Sequence, residues 1–260
     1  MADAPTRLAR WPERLWIVRH GQSAGNVARD AADEAKLDRI GLEGRDVDVP
    51  LSALGEEQAR ALGHWFAQGE EGARPDIILT SPYLRAMQTA NLFRDAGGAA
   101  SDVSICLDER LREKEFGILD GLTTRGIGKT FPDQAEFRKL LGKFYHRPPG
   151  GESWCDVIFR LRAVMDTISL HYADRRVLIV AHQVVVLCMR YVIENMNEQQ
   201  ILGIDKQADV ANCAITEYEF DASVGRAGGL KLTRYNVTAP MEKEDAPVTR
   251  EPEPIVASRG

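Results

Sequence analysis

Apolar and polar positions change period several times along the chain, and the changes mark out strands that alternate with helices. Leu15–Val18 is an unbroken apolar run, which reads as a strand buried on both faces. Residues 27–49 are polar and charged with weak periodicity and read as a long excursion carrying one short helix. From 52 to 68 the apolar residues Leu54, Ala61, Leu62, Trp65 and Phe66 recur at helical spacing, with Ser52 as N-cap. "PDIILTSP" (75–82) is a strand, and Ser81-Pro82 then opens a helix that runs to about Gly97, with serine as cap and proline at the first helical position. "VSICLDERL" (103–111) reads as another strand, and a short helix is expected near 133–142. Ser153 and Asp156 form a capping-box pattern ahead of an amphipathic helix to about Tyr172. "RRVLIVAHQ" (175–183) is a strand, 184–196 a helix, and 214–221 with 229–236 a β-hairpin.

Alternation of this kind predicts an α/β fold, a three-layer sandwich whose mostly parallel central sheet is covered by helices on both faces. One catalytic domain is expected over 14–238, after a loose N-terminus at 1–13. Residues 239–260 are rich in proline and charge and read as a disordered tail.

The charge balance narrows the function classes. With a net charge of -6, the molecule as a whole gives no reason to expect nucleic-acid binding, so an anionic ligand would need a local cation cluster. No apolar stretch approaches the roughly 20 residues of a membrane span, and the N-terminus carries no apolar signal core, so the expectation is a cytoplasmic protein. Cys106, Cys155, Cys188 and Cys213 form no CxxC pair and read as small core residues. The histidines have no metal-ligand spacing, and neither metal nor cofactor is expected.

Candidate chemistry gathers just beyond strand ends, where open α/β sheets bind ligands. The first strand runs into "RHGQSAGN", which supplies Arg19, His20, Ser23 and Asn26. Arg85 follows the second strand, Glu113 the third, and His182 the fourth. A strand ending in Arg-His-Gly could simply be leaving the core, but here partners of matching chemistry sit at the ends of three other strands. Such a set suits a phosphoryl group. Guanidinium forks match its oxygens, an imidazole can attack phosphorus, and a carboxylic acid can protonate the departing oxygen.

"RHGQSAGN", "SPYLRAMQTA", Glu113 ahead of "EFGILDGL", "GGES" and "VLIVAHQ" occur in order between about Leu15 and Tyr235 and resemble the histidine phosphatase superfamily. The resemblance implies that His20 is a nucleophile that becomes phosphohistidine. It implies that Arg19, Arg85 and His182 form the phosphate pocket with it, that Ser23 and Asn26 add hydrogen bonds, and that Glu113 is the general acid and then base, with Glu109 as the substitute candidate. Many members carry glycine after the second histidine, where this chain has Gln183. That residue and the stretch "KFYHRPPGGES" are similar to fructose-2,6-bisphosphatases, so Gln183, Lys143, Tyr145 and Arg147 are expected to contact the substrate. The partner implied is a small phosphorylated molecule. Hydrolysis is expected, with a mutase-type transfer and a non-catalytic phospho-ligand binder as alternatives; the short connection from Glu113 to "GGES" favours hydrolysis. Gly128-Lys129-Thr130 looks like the end of a P-loop, but position 123 is Thr rather than Gly and no buried strand leads directly into it, so ATP binding is not expected.

Overall fold

The computed structural model describes residues 10–69, 74–225 and 227–250. Its centre is a six-stranded sheet in the order β3-β2-β4-β1-β5-β6, built from β1 (Arg14–Arg19), β2 (Ile77–Thr80), β3 (Ile105–Leu107), β4 (Arg176–Ala181), β5 (Ile215–Asp221) and β6 (Gly229–Val237). β1, β2, β3 and β4 are joined by parallel pairings, while β5 pairs antiparallel with both β1 and β6. The hairpin thus makes one edge of the sheet antiparallel.

Both faces are covered. On one lie α5 (Pro132–Tyr145), α6 (Trp154–His171), α7 (Gln183–Ile193) and α8 (Glu198–Gln207); on the other, α2 (Ala53–Ala67), α3 (Leu84–Phe93) and α9 (Ala239–Lys243). Double coverage explains the unbroken apolar runs. Leu15 and Ile17 of β1 enter the first core, and the alternate Trp16 and Val18 enter the second. Ser52 and Ser153 cap α2 and α6 as their spacing predicts, and Asp156 completes the second cap as a capping box. Two further helices, α1 (Ala24–Glu34) and α4 (Thr124–Thr130), lie in the long connections.

Several expectations change. The start of α3 falls two residues later than Ser81-Pro82 predicts. Tyr83 is its N-cap and Leu84 its first residue, with Ser81 Oγ instead accepting from Tyr83 N–H at 3.3 Å. The tail expected to be disordered is ordered as far as residue 250. Met241 is fully buried, Ala246 is nearly so, and Gln58 donates to the Pro247 carbonyl at 2.8 Å. Its composition is polar, but a few well-placed contacts suffice to dock it. Residues 10–13 of the expected loose N-terminus are likewise tied down, Trp11 by accepting from Asp174 N–H and Glu13 from Phe220 N–H. Residues 1–9 and 251–260 lie outside the described residues. Gly128-Lys129-Thr130 forms the end of α4 itself, with Lys129 paired to Asp38, so no strand–loop–helix cradle exists there.

Candidate active site

The parallel strands β1, β2 and β4 end on one rim, and there the chain places His20, Ser81 and His182. His20 is 3 % exposed. Its Nδ1 lies 2.7 Å from the Gly21 carbonyl oxygen, and its Nε2 lies 3.2 Å from Arg85 Nε. A carbonyl can only accept and a guanidinium N–H can only donate. Nδ1 therefore carries the proton, and Nε2 presents its lone pair. Burial, with Arg85 and then Arg19 nearby, holds the imidazole well below its ordinary pKa, so it is neutral at pH 7.

Gly21 is required by packing. A Cβ there would meet the Gly55 carbonyl oxygen at 2.4 Å, and one on Gly55 would meet the Gln22 oxygen at 1.9 Å. Two backbones pass where no side chain fits, and this contact fixes the turn that turns His20 inward. The turn is also pinned by Gly21 N–H to Thr89 Oγ1 and by Gln22 N–H to Gln58 Oε1.

His182 is fully buried behind His20, with ring centroids 5.1 Å apart. Its Nε2 is 2.8 Å from Ser81 Oγ, and its Nδ1 is 3.8 Å from a Glu113 carboxylate oxygen. Burial again lowers its pKa, followed by Arg85 and His20. Glu113 lines the same cavity as His20, and its Oε1 accepts from Lys114 N–H at 2.8 Å. Glu109 is exposed and does not line the cavity, which separates the two carboxylates considered from sequence.

Arg19, Ser23, Asn26, Arg85 and Gln183 also line the cavity. Ser23 and Asn26 are the capping box of α1. The Asn26 Oδ1 accepts from Ser23 N–H and Oγ–H, so its remaining offer to the cavity is an NH₂ group, the polarity a phosphate oxygen needs. Gln183 was expected to donate to substrate. It lines the cavity, and there its Oε1 accepts from Arg19 at 3.0 Å and its Nε2 donates to Asp209 at 3.2 Å, so it also orients Arg19.

Lys143, Tyr145 and Arg147 do not line the cavity, and the expectation that they touch substrate is corrected. α5 kinks at Gly142, where φ is 75°, and its end turns toward α6 and α8. There Lys143 pairs with Asp205, Tyr145 with Glu198, and Arg147 with Asp156. A basic-aromatic string reads the same whether its partner is a ligand or another helix.

Other cavity residues were not singled out from the sequence. Arg29, Ile40, Leu42 and Asp46 come from the excursion at 27–49, which α1 and a strap around 40–49 fill. Asp120 and Phe116 come from the loop after Glu113. Asn212, fully buried, donates to the His20 carbonyl at 2.9 Å and is itself held by Thr249. Only the hydrophobic anchors inside the excursion could have hinted at a docked segment.

A family model described as the histidine phosphatase superfamily, branch 1, matches residues 15–233. The chain belongs to this superfamily. A probable phosphoglycerate mutase of Yersinia enterocolitica is 28% identical over 235 residues, covering 88% of this chain and 95% of the relative. Among solved structures, Bacillus stearothermophilus YhfR superposes with a TM-score of 0.66 at 25% identity, covering 88% of this chain and 98% of that one. A mycobacterial glucosyl-3-phosphoglycerate phosphatase does so with a TM-score of 0.64 at 23% identity over 87% and 100% of the two chains, which speaks for a shared fold. Among the described residues no cluster of His, Cys, Asp or Glu is arranged to hold a metal ion, and no helix is long and apolar enough to cross a membrane.

Proposed function

We propose that the protein is a metal-independent phosphatase that hydrolyses a small phosphomonoester through a phosphohistidine on His20. The observation that carries this reading is the fixed tautomer of His20. A neutral imidazole, with its proton held by Gly21 and its Nε2 lone pair in a cavity lined by Arg19, Arg29 and Arg85, is a nucleophile prepared for an anionic electrophile. Nε2 attacks phosphorus, the P–O bond to the alcohol breaks, and Glu113 delivers a proton to the departing oxygen. Glu113 then takes a proton from water as that water attacks the phosphohistidine, which releases inorganic phosphate and frees Nε2.

Charge on the phosphoryl oxygens is balanced by Arg19 and Arg85, with the Asn26 NH₂ as a further donor. His182 sits behind the nucleophile, between Ser81 and Glu113. The phosphatases among the similar structures favour hydrolysis, whereas the Yersinia relative's name points to phosphoryl transfer between phosphoglycerates. One assay separates them. With p-nitrophenyl phosphate and EDTA present, the protein should release inorganic phosphate at a rate unaffected by 3-phosphoglycerate. Phosphate appearing instead on added phosphoglycerate would make it a mutase, and loss of turnover in EDTA would overturn metal independence.

A further inference from the structure

The fork of Arg85 is occupied by this chain's own carboxylate. Nη1 donates to Asp46 Oδ1 and Nη2 to Oδ2, both at 3.0 Å, and Nη1 also reaches the Asp46 main-chain oxygen at 2.7 Å. The remaining donor, Nε, lies on the Nε2 lone pair of His20 at 3.2 Å. A carboxylate gripped in bidentate fashion is the protein's nearest equivalent of a phosphoryl group on a guanidinium. Asp46, Arg85 and His20 therefore form a chain whose donors and acceptors satisfy one another. A phosphoryl group cannot take the fork while Asp46 holds it.

The two partners are unequally free to move. The Arg85 side chain is 6% exposed and that of Asp46 is 40%. Asp46 stands in the strap between Ile40, whose N–H is tied to the Gly121 carbonyl, and Leu51, whose N–H is tied to Gln88. Among the described residues, the hydrogen bonds from 41–48 to anything beyond the strap run from Arg85 to Asp46. The others close locally: Leu42 N–H on Ile40, Asp48 N–H on Arg45, Val49 N–H on Asp46, and Arg45 with Asp48. Gly44 has φ of 94°, and open space surrounds both it and Gly41. The strap contains two glycines, and its hydrogen bonds outward converge on a single residue, Arg85.

We propose that Asp46 is an internal occupant of the phosphate fork, displaced into solvent with residues 41–48 when a phosphoryl group binds, and that it thereby sets the pocket's affinity for phosphate. The proposal rests on the phosphatase reading for the identity of the displacing group. On that reading, the carboxylate also helps to expel the product, because its return to Arg85 competes with inorganic phosphate. A latch closed in about nine molecules of ten weakens apparent phosphate affinity about tenfold, since only the open fraction binds.

Two measurements on the full chain test this, with inorganic phosphate as the probe. Asp46→Asn should tighten the calorimetric Kd for phosphate about tenfold or more. Hydrogen exchange in the wild type should become faster across 41–48 when phosphate is saturating, the reverse of the usual protection by a ligand; in Asp46→Asn it should be fast already and unresponsive. An unchanged or weaker Kd in the variant would overturn the proposal. So would slower or unaltered exchange at 41–48 on binding phosphate, which would mean that the strap stays fastened and that any gain in Asp46→Asn reflects lost charge repulsion alone. Neither readout needs turnover, so failure of the phosphohistidine mechanism would show itself separately, as a lack of phosphoenzyme.

Discussion

Thr249 lies beyond the stretch matched to the family model, yet it is two hydrogen bonds from the His20 backbone. Its Oγ1 donates to Asn212 Oδ1 at 2.9 Å and accepts from Gln58 Nε2 at 3.0 Å. Asn212 in turn donates to the His20 carbonyl, and Gln58 accepts from Gln22 N–H. Both amides are fully buried, so two arms of one polar network hold the His20 turn. Thr249→Val keeps the shape and removes the hydroxyl. Gln58 Nε2 retains the Pro247 carbonyl, but Asn212 Oδ1 loses its donor. Leaving one buried acceptor unsatisfied costs about 1–3 kcal/mol. In a chain of this size that lowers Tm by roughly 2–4 °C for each kcal/mol. The same loosening lets the imidazole drift, and because misplacement of about 1 Å can cost ~100-fold in rate, a partial drift should lower kcat about three- to tenfold. KM for p-nitrophenyl phosphate should hold within about twofold, since the arginines are untouched, and Thr249→Ser should restore both rate and Tm. Thermal melts alongside steady-state kinetics make the check. A lower Tm with unchanged kcat would refute the coupling of this segment to His20.

Glu113→Gln should slow an alkyl phosphate by roughly 10²–10⁴-fold while slowing the phosphorylation step with p-nitrophenyl phosphate much less, because that leaving group hardly needs a proton; equal slowing of phosphoenzyme formation for both substrates would move the acid role elsewhere. Stability should fall as pH drops below about 6.5, the ordinary His value. His20 and His182 are held well below it, and His146, buried with neither ring nitrogen hydrogen-bonded, is held at about 4, so the unfolded chain takes up protons that the native chain refuses. Asp30 and Asp120 are raised and act in the opposite sense, but three histidines outweigh them. Urea midpoints at pH 7.5 and pH 5 should therefore differ, with the lower value at pH 5, and equal midpoints would contradict the assignment of these histidines as neutral.

What the sequence made legible follows from how local each signal is. The strand runs, the caps at Ser52 and Ser153, and the hairpin are decided by residues within a few positions of one another. The candidate set was readable for a related reason: His20, Arg85, Glu113 and His182 each stand beside a strand end or in a short motif, and the sheet carries them to one rim. Asp46, Asn212 and Thr249 are different, because each matters only through a partner far away in the chain. Nothing near Asp46 announces Arg85, and nothing near Thr249 announces Asn212. Lys143 and Arg147 misled for the converse reason. Their local chemistry suits a phosphate, but Asp205 and Asp156 are carboxylates already folded against them. The tail misled through its composition, which hides how much one buried Met241 can anchor.

Trapping the phosphoenzyme bears on all of this at once. The protein should be mixed rapidly with ³²P-labelled substrate, quenched in alkali and mapped by peptide mass spectrometry. The geometry of His20, with Nδ1–H held by the Gly21 carbonyl, predicts a single base-stable, acid-labile phosphate on Nε2 of His20, absent from His20→Ala, which should also lack turnover. Label on another residue, substitution at Nδ1, or undiminished hydrolysis by His20→Ala would contradict the mechanism.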